Sequence, residues 1–392
     1  MIFVILLTVC TAFTLLSIGS VLWITRKDRR PAATAKKPVP VSVLKPLCGA
    51  DDSLEENLTT FFRQDYPDYE LIFGVQGNRD PAVAVVRSLK ARYPDVRCRL
   101  VIHNGGRGIN PKVSNLRAML EAGSHDVVVI SDSNVRVKPD YLFEMAARLA
   151  EDNVGLVTSL VAGVGERSLG ATMENLHLNG PIAGCVAASR VVGDNTLVVG
   201  KSVMFRRSIF ERLGGFASVA NILAEDYVMG RMFHSAGYRV RLCRTPVKNV
   251  CQKTSVKSFM RRYIRWGLMR SRMKALLYPV EPLSNPMAIV LMAPLFGMAN
   301  NLVILWAVVM TLLRDGIQTA RLRGTGRLAY ALPLGMLKDL LMLLAWAMAP
   351  FVRHISWRGN RVRVSAGTRL YTSAPMSRPE PPWQEGWLRS PD

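Results

Sequence analysis

The residues best suited to chemistry lie between Ala224 and Trp266. This stretch opens on Ala224-Glu225-Asp226-Tyr227 and closes on Arg261-Arg262-Tyr263-Ile264-Arg265-Trp266. No Asp or Glu occurs from Tyr227 to Val280, whereas thirteen Lys and Arg do. A lone carboxylate pair ahead of a long cationic, aromatic-tipped stretch reads as a base facing a site for an anionic group. Glu225-Asp226 would begin a helix that turns Val228, Met229, Met232 and Phe233 to the core. Carboxylates in a first turn are stabilised by the helix dipole, so capping alone also accounts for the pair. In the functional reading one of the two is a general base that takes a proton from an attacking hydroxyl.

Three other positions fit an anionic substrate. Asp132-Ser133-Asn134 follows a strand-like run directly, and oxygen donors there suit a hard divalent cation, Mg²⁺ or Mn²⁺, that clamps a diphosphate. The same three residues are also ordinary turn formers. Asp80, in Gln76-Gly77-Asn78-Arg79-Asp80-Pro81, either binds a nucleotide or caps the helix that Pro81 begins. Lys112 falls in the first turn of a helix, where a cation opposes the dipole unless an anion docks beside it; a solvated lysine is the alternative. Arg262, Arg265 and Trp266 project from an expected interfacial helix, Val256 to Leu277. Arginine forks match phosphate oxygens, and an indole suits the membrane interface or stacks on a sugar or base. A basic helix lying on anionic lipid accounts for other faces of the same segment. Gly200-Lys201-Ser202 mimics the end of a phosphate-binding P-loop, but the upstream glycine would fall at Asn195, so the motif is set aside. The five histidines form no metal spacing and read as structural.

The elements needed to position these residues alternate strand and helix. Strands are expected over Val41 to Leu44, Glu70 to Val75, Arg97 to Ile102 and Asp126 to Ser131, and later over Gly155 to Leu160, Thr196 to Phe205 and Tyr238 to Leu242. Helices fit Leu54 to Arg63, Pro81 to Tyr93 and Pro111 to Glu121, the last with Asn110 as N-cap. This pattern predicts an α/β fold with a doubly wound, mostly parallel sheet and ligands at the carboxyl ends of its strands.

Around that unit the chain is apolar in blocks. Residues Ile2 to Thr25 carry no charge, and about 20 apolar residues suffice to cross a bilayer. The charges follow the run, as Arg26-Lys27-Asp28-Arg29-Arg30, so residues 1–25 read as an uncleaved anchor with a basic linker over 26–40. The soluble unit is expected over 41–254 and the interfacial helix over 255–281. A second uncharged run, 282–313, reads as one tilted span or a hairpin turning near Asn300-Asn301. A third, 328–352, is broken by Lys338-Asp339, which marks either a lipid contact or a helix-packing ion pair. The basic tail 353–392 is expected to be disordered after about 372. The 51 basic and 29 acidic residues leave a net charge of +22. That excess calls for an anionic partner, and nucleic acid, lipid headgroups and phosphorylated substrates satisfy it equally. A basic scaffold, however, has no use for carboxylates at strand ends, which argues for substrate and bilayer over nucleic acid. The six cysteines form no C-x-x-C pair, which fits unlinked thiols in a reducing compartment and a cytosolic catalytic unit.

Taken together, the ordered motifs resemble the ceramide glucosyltransferase family. They are Val41-Ser42-Val43-Leu44-Lys45-Pro46-Leu47, Gln64-Asp65-Tyr66-Pro67, Gly108-Ile109-Asn110-Pro111-Lys112, Asp132-Ser133, Ala224-Glu225-Asp226-Tyr227, Arg262-x-x-Arg265-Trp266 and Ile355-Ser356-Trp357-Arg358. The resemblance spans roughly residues 41–363. It implies a GT-A-type nucleotide-sugar domain and an inverting transfer of glucose from UDP-glucose to a membrane lipid, ceramide. It further implies that Asp80 and Asp132 serve the UDP-sugar and its divalent cation, that Lys112, Arg262, Arg265 and Trp266 hold the donor, and that Asp226 is the base. Glu225 and Asn134 are supporting residues in this reading. Gly77 and Asn134 depart from the family pattern, and the acceptor-facing region Asn175 to Asn195 matches poorly. A composition rich in Ala, Arg, Val and Gly looks bacterial, so a multi-pass protein of a bacterial inner membrane is expected. A related hopanoid-type glycosyltransferase, or one that uses diacylglycerol, shares the same chemistry.

Overall fold

The computed structural model describes residues 1–26, 38–106, 108–193, 196–326, 328–357 and 360–372. Most of the expected linker, the tail after Thr372, Asn195 and Arg358 therefore lie outside the described residues. The central sheet has eight strands: β1 (Val41–Pro46), β2 (Tyr69–Gln76), β3 (Arg97–His103), β4 (Val127–Ser131), β5 (Val135–Arg136), β6 (Val154–Val164), β7 (Ser202–Arg206) and β8 (Arg239–Val250). Their order is β3-β2-β1-β4-β7-β6-β8-β5. The pairs among β3, β2, β1 and β4 are parallel, as is β6 with β8. Strand β7 runs antiparallel to both β4 and β6, and β5 antiparallel to β8. The sheet is thus mostly parallel, with an antiparallel strand set into its middle.

The runs Val127–Ser131 and Val41–Pro46 are buried along their whole length, because helices cover both faces. One core layer joins Leu58, Phe61, Phe73 and Leu142. The other joins Leu116, Met119, Phe205, Phe210, Met229 and Phe233. Met229 and Phe233 come from the helix Glu225–Ser235, so its apolar face meets the sheet as the sequence pattern predicts.

Some bounds differ from expectation: β8 runs on to Val250 and the expected interfacial helix ends at Met273. The strand expected over Thr196 to Phe205 begins only at Ser202, and the residues before it form a loop that closes over the end of β4. In the basic tail, ahead of the segment expected to be disordered, β9 (His354–Trp357), β10 (Asn360–Val364) and β11 (Leu370–Thr372) form a small antiparallel sheet. It is sewn to the chain just ahead of Glu225, where the Leu223 amide donates to the Thr368 carbonyl at 2.9 Å and the Leu370 amide to the Asn221 carbonyl at 2.8 Å.

Three helices are long and apolar enough to cross a membrane: Ile2–Ile24, Asn301–Arg323 and Leu334–Phe351. The uncharged run 282–313 does not form one helix. Pro286–Met292 and a 3-10 turn, Ala293–Phe296, precede a break, and Asn300 then caps a new helix by accepting from the Leu302 and Val303 amides at 3.0 and 3.1 Å. That helix continues past Leu313 through Arg314 and Asp315, because both charges are buried against partners. Arg314 pairs with Asp315 at 2.8 Å and with Asp339 at 2.8 Å, and Lys338 pairs with Asp315 at 2.6 Å. Lys338-Asp339 is therefore a packing ion pair between helices. Along the N-terminal helix, Ser17 accepts from Gln318 at 3.0 Å and Thr11 from the Trp306 indole at 3.1 Å.

Candidate active site

The site begins with Asn110. Its side chain accepts from the Lys112 and Val113 amides at 2.9 and 3.1 Å, capping the helix Pro111–Ala122 as the sequence predicts. Its Nδ2 donates to the Ile222 carbonyl at 2.7 Å, which ties the cap to the strand-like segment ahead of Glu225. Lys112 in the first turn is thereby set between two elements. Its ammonium is 3.1 Å from Asp132 Oδ1 at the end of β4 and 3.0 Å from Glu225 Oε1.

Asp132 takes a second ammonium on its other oxygen: Lys201 Nζ is 3.3 Å from Oδ2 and 3.0 Å from Asn134 Oδ1. Burial works to raise the Asp132 carboxyl, and the Lys112 and Lys201 charges overcome it, holding the group well below the usual carboxylate range. Beneath it, the fully buried Lys45 donates to the Asp132 carbonyl at 2.5 Å and rests on the Phe61 ring, 3.8 Å from its centroid. Burial pushes the Lys45 ammonium well below its ordinary pKa. Ser133 pairs with Asp51, and Asp52 accepts from the Gln252 and Lys253 amides at 2.8 and 3.0 Å, so the loops around the strand ends hold one another.

Asp226 differs from its neighbour Glu225. Glu225 is held by Lys112, whereas Asp226 Oδ2 accepts from the Gly200 amide at 2.8 Å and its Oδ1 from the Tyr227 amide at 2.8 Å. Burial, with the Glu225 charge added and Lys112 opposing, raises the Asp226 carboxyl to about 6. Such a group is ionised at neutral pH yet basic enough to accept a proton. Gly200 is required at this approach, because a Cβ there would stand 2.7 Å from Asp226 Oδ2.

The other expected residues fall in different surroundings. Asp80 is buried and accepts from the Gly49 amide at 3.0 Å and the Ala82 amide at 2.8 Å, so it ties the start of the helix Ala82–Arg92 to the loop after β1. Arg262 forms an ion pair with the buried Glu174, on the helix Leu169–His177. Trp266 packs edge-on to Tyr263, with ring centroids 5.3 Å apart. Arg265 shares the helix Val256–Met273 with both. Asp132, Lys112, Asn134, Glu225 and Asp226 therefore converge on one cluster. Asp80, Arg262 and Trp266 engage other partners in this structure.

Sequence reasoning missed Gly200 and Lys201. They form no P-loop, but the antiparallel register Ser131↔Ser202 carries them past the end of β4 and up to Asp132. Nothing in the linear pattern says that β7 runs against β4, and that direction is the missing signal. Lys45 was legible as a motif residue, but burial alone gives it a partner.

Asp132 and Asn134 are the hard oxygen donors available to a divalent cation. Their oxygens converge on the Lys201 ammonium, so a divalent cation would bind here by taking that ammonium's place, with its remaining ligands from a diphosphate. Among the described residues, no group of three or more His, Cys, Asp or Glu is placed to hold a metal ion. No disulfide joins any of the six cysteines.

The mostly parallel sheet carries this cluster at its strand ends and is joined to membrane-length helices. The chain belongs to glycosyl transferase family 21, whose model matches residues 2–370. Ceramide glucosyltransferase 1 of Caenorhabditis elegans is 28% identical over 355 residues, covering 85% of this chain and 73% of that protein. Ceramide glucosyltransferase 3 of the same organism is 30% identical over 246 residues; the match covers 62% of this chain and about half, 53%, of that relative's length. Among solved structures, the mannosyltransferase PcManGT from Pyrobaculum calidifontis, in complex with GDP-Man and Mn2+, is 20% identical. Its TM-score is 0.49, over 88% of this chain and 98% of that one.

Proposed function

We propose that the protein transfers glucose from UDP-glucose to the primary hydroxyl of ceramide, with inversion at the anomeric carbon. The observation that carries this reading is the pairing of Asp226, with its raised pKa, and Asp132, flanked by two ammonium groups, in one cluster around Lys112 and Gly200. Membership in family 21 and the two nematode relatives supply the sugar and the lipid class.

Asp226 accepts the hydroxyl proton as the acceptor oxygen bonds to the anomeric carbon, and the bond from that carbon to the UDP oxygen breaks. A single displacement needs one base, and it inverts configuration. Lys112 and Lys201 offset the charge that gathers on the departing diphosphate. A divalent cation, Mg²⁺ or Mn²⁺, held by Asp132 and Asn134 would add electrophilic charge at the same place. Glu225 fixes Lys112 rather than taking the proton. Arg262, Arg265 and Trp266 would reach donor or lipid once Arg262 exchanges Glu174 for a phosphate oxygen, and Asp80 acts by holding the loop after β1.

The catalytic unit is assigned to the cytosolic face of a bacterial inner membrane in a multi-pass protein. The basic flank after Ile24 and cysteines not joined in disulfides support that side. The acceptor then reaches Asp226 from the bilayer along the helix Val256–Met273. The test is purified protein in ceramide-containing nanodiscs with UDP-glucose, followed by mass spectrometry. Hexosylceramide formed one for one with UDP is expected. UDP release without glycolipid, or product on a hopanoid or diacylglycerol alone, overturns the acceptor assignment.

A further inference from the structure

We propose that Thr368, in the small C-terminal sheet, is a positioning residue for Asp226: it holds the chain at Leu223 and Ala224, directly ahead of the helix Glu225–Ser235, and so sets where the Asp226 carboxylate stands. The proposal rests on Asp226 being the base of the transfer. The Thr368 carbonyl accepts from the Leu223 amide at 2.9 Å, and its Oγ1 accepts from the Ala224 amide at 3.4 Å. Two successive amides are thus tied to one residue far along the chain. The Leu370 amide adds a third bond, to the Asn221 carbonyl at 2.8 Å.

The helix needs this outside hold because its own sequence supplies no cap. Ala224 stands at the N-cap, where Ser, Thr, Asp and Asn are the residues whose side chains fix a helix start. Asn110 takes the carbonyls of Ala220, through its amide at 2.9 Å, and of Ile222, through Nδ2 at 2.7 Å. Thr368 and Leu370 take the groups of Asn221, Leu223 and Ala224. The segment is therefore held through alternating residues by two separate parts of the chain. Two residues beyond Ala224, Asp226 Oδ2 meets the Gly200 amide at 2.8 Å. A shift of the helix start would carry that carboxylate with it.

The conformation of Thr368 is costly, which sets it apart from ordinary packing. Its φ is +57°, in the left-handed region, where a β-branched side chain is an outlier and glycine is at ease. Such strain persists only where the surroundings impose it. Thr368 is fully buried, its amide donates to the Ser365 carbonyl at 3.1 Å, and the Ser365 amide donates to the Arg369 carbonyl at 2.9 Å. Val362, Val364 and Leu370 pack with Leu223 and with Leu268 of the helix Val256–Met273. Glycine at 368 would serve the backbone without strain. Threonine adds a methyl group and the hydroxyl that accepts from Ala224, and substitution separates the two.

The test measures kcat, and KM for UDP-glucose, with full-length protein in ceramide-containing nanodiscs. Thr368→Val keeps the shape and the burial and removes only the hydroxyl. It is expected to lower kcat about tenfold or more while KM for UDP-glucose stays within about twofold, because the base moves and the donor site does not. Thr368→Ser keeps the acceptor and should hold kcat within about twofold of wild type. Thr368→Gly lacks the hydroxyl but adopts the positive φ freely, so it keeps the fold and should show the same loss even where Val perturbs folding. In an Asp226→Asn background, Thr368→Val should add no further loss, since the group it positions is no longer a base. Wild-type kcat in Thr368→Val or Thr368→Gly beside an inactive Asp226→Asn protein, or an equal loss in Thr368→Ser, would overturn the positioning role and leave the base in place. A loss that multiplies with that of Asp226→Asn would show Thr368 acting on the fold in general and would overturn the role as well. Near-normal turnover by Asp226→Asn alone would overturn the base, and this role with it.

Discussion

Asp226 and Glu225 are adjacent carboxylates with different surroundings, and the difference comes from their partners. Glu225 faces the Lys112 ammonium, which holds it as a counter-charge, whereas Asp226 faces backbone amides and a buried setting. The raised Asp226 pKa fixes the sign of the pH dependence. Below about 6 the carboxyl is protonated and cannot act as base, so kcat/KM should fall about tenfold per pH unit on the acid side and level off above it. A pH–rate profile with saturating donor checks this. Gly200→Ala should cost about 100-fold in kcat with the fold retained, because the new Cβ would displace the carboxylate that a productive geometry requires. At this scale the sequence marked Asp226, Asp132 and Lys112 through three separate motifs, which the structure brings together. It was silent on Lys201, whose role depends on a strand direction.

At the scale of elements, the cluster is built where three chain segments end together: β4, the loop before β7 and the start of the helix Glu225–Ser235. Asn110 links that junction to the helix that carries Lys112. Replacing it with Ala removes both amide contacts and the bond to Ile222, which should lower stability by about 1–2 kcal/mol in chemical denaturation and loosen donor binding. The alternating elements from β1 to β4 were legible because each pairs a β-branched run with an amphipathic helix. The small C-terminal sheet was not, since its strands are short and its burial depends on the distant segment Asn221 to Ala224. The break at Asn300 was half legible: the asparagine pair marked a turn, but the charges beyond Leu313 concealed the length of the following helix.

Across the whole molecule, the membrane-length helices are held together by polar contacts that run into the catalytic unit. Arg314, Asp315, Lys338 and Asp339 form a buried network between two helices. Arg323, at the end of the first of these, pairs with Glu166 at 2.6 Å, and Glu166 also accepts from Asn175 at 2.8 Å. Lys338→Met would leave Asp315 beside Arg314 alone and should cost about 3–5 kcal/mol, read as a lowered melting midpoint in detergent. Replacing all four charged residues by apolar residues of similar volume should cost far less, since no unpaired charge remains. The apolar blocks announced the spans, but the pairing across them requires the folded chain.

The central claim is that Asp226 is the general base of a glycosyl transfer. Its most direct test is the turnover of Asp226→Asn, measured as glycolipid formed per minute, alongside UDP-glucose binding by the same preparation. The amide preserves size and can still accept from the Gly200 amide, but it cannot take the proton. Binding within a few-fold of wild type with turnover reduced by about 10²- to 10⁴-fold is predicted. Turnover close to wild type in a folded, donor-binding variant would contradict the account.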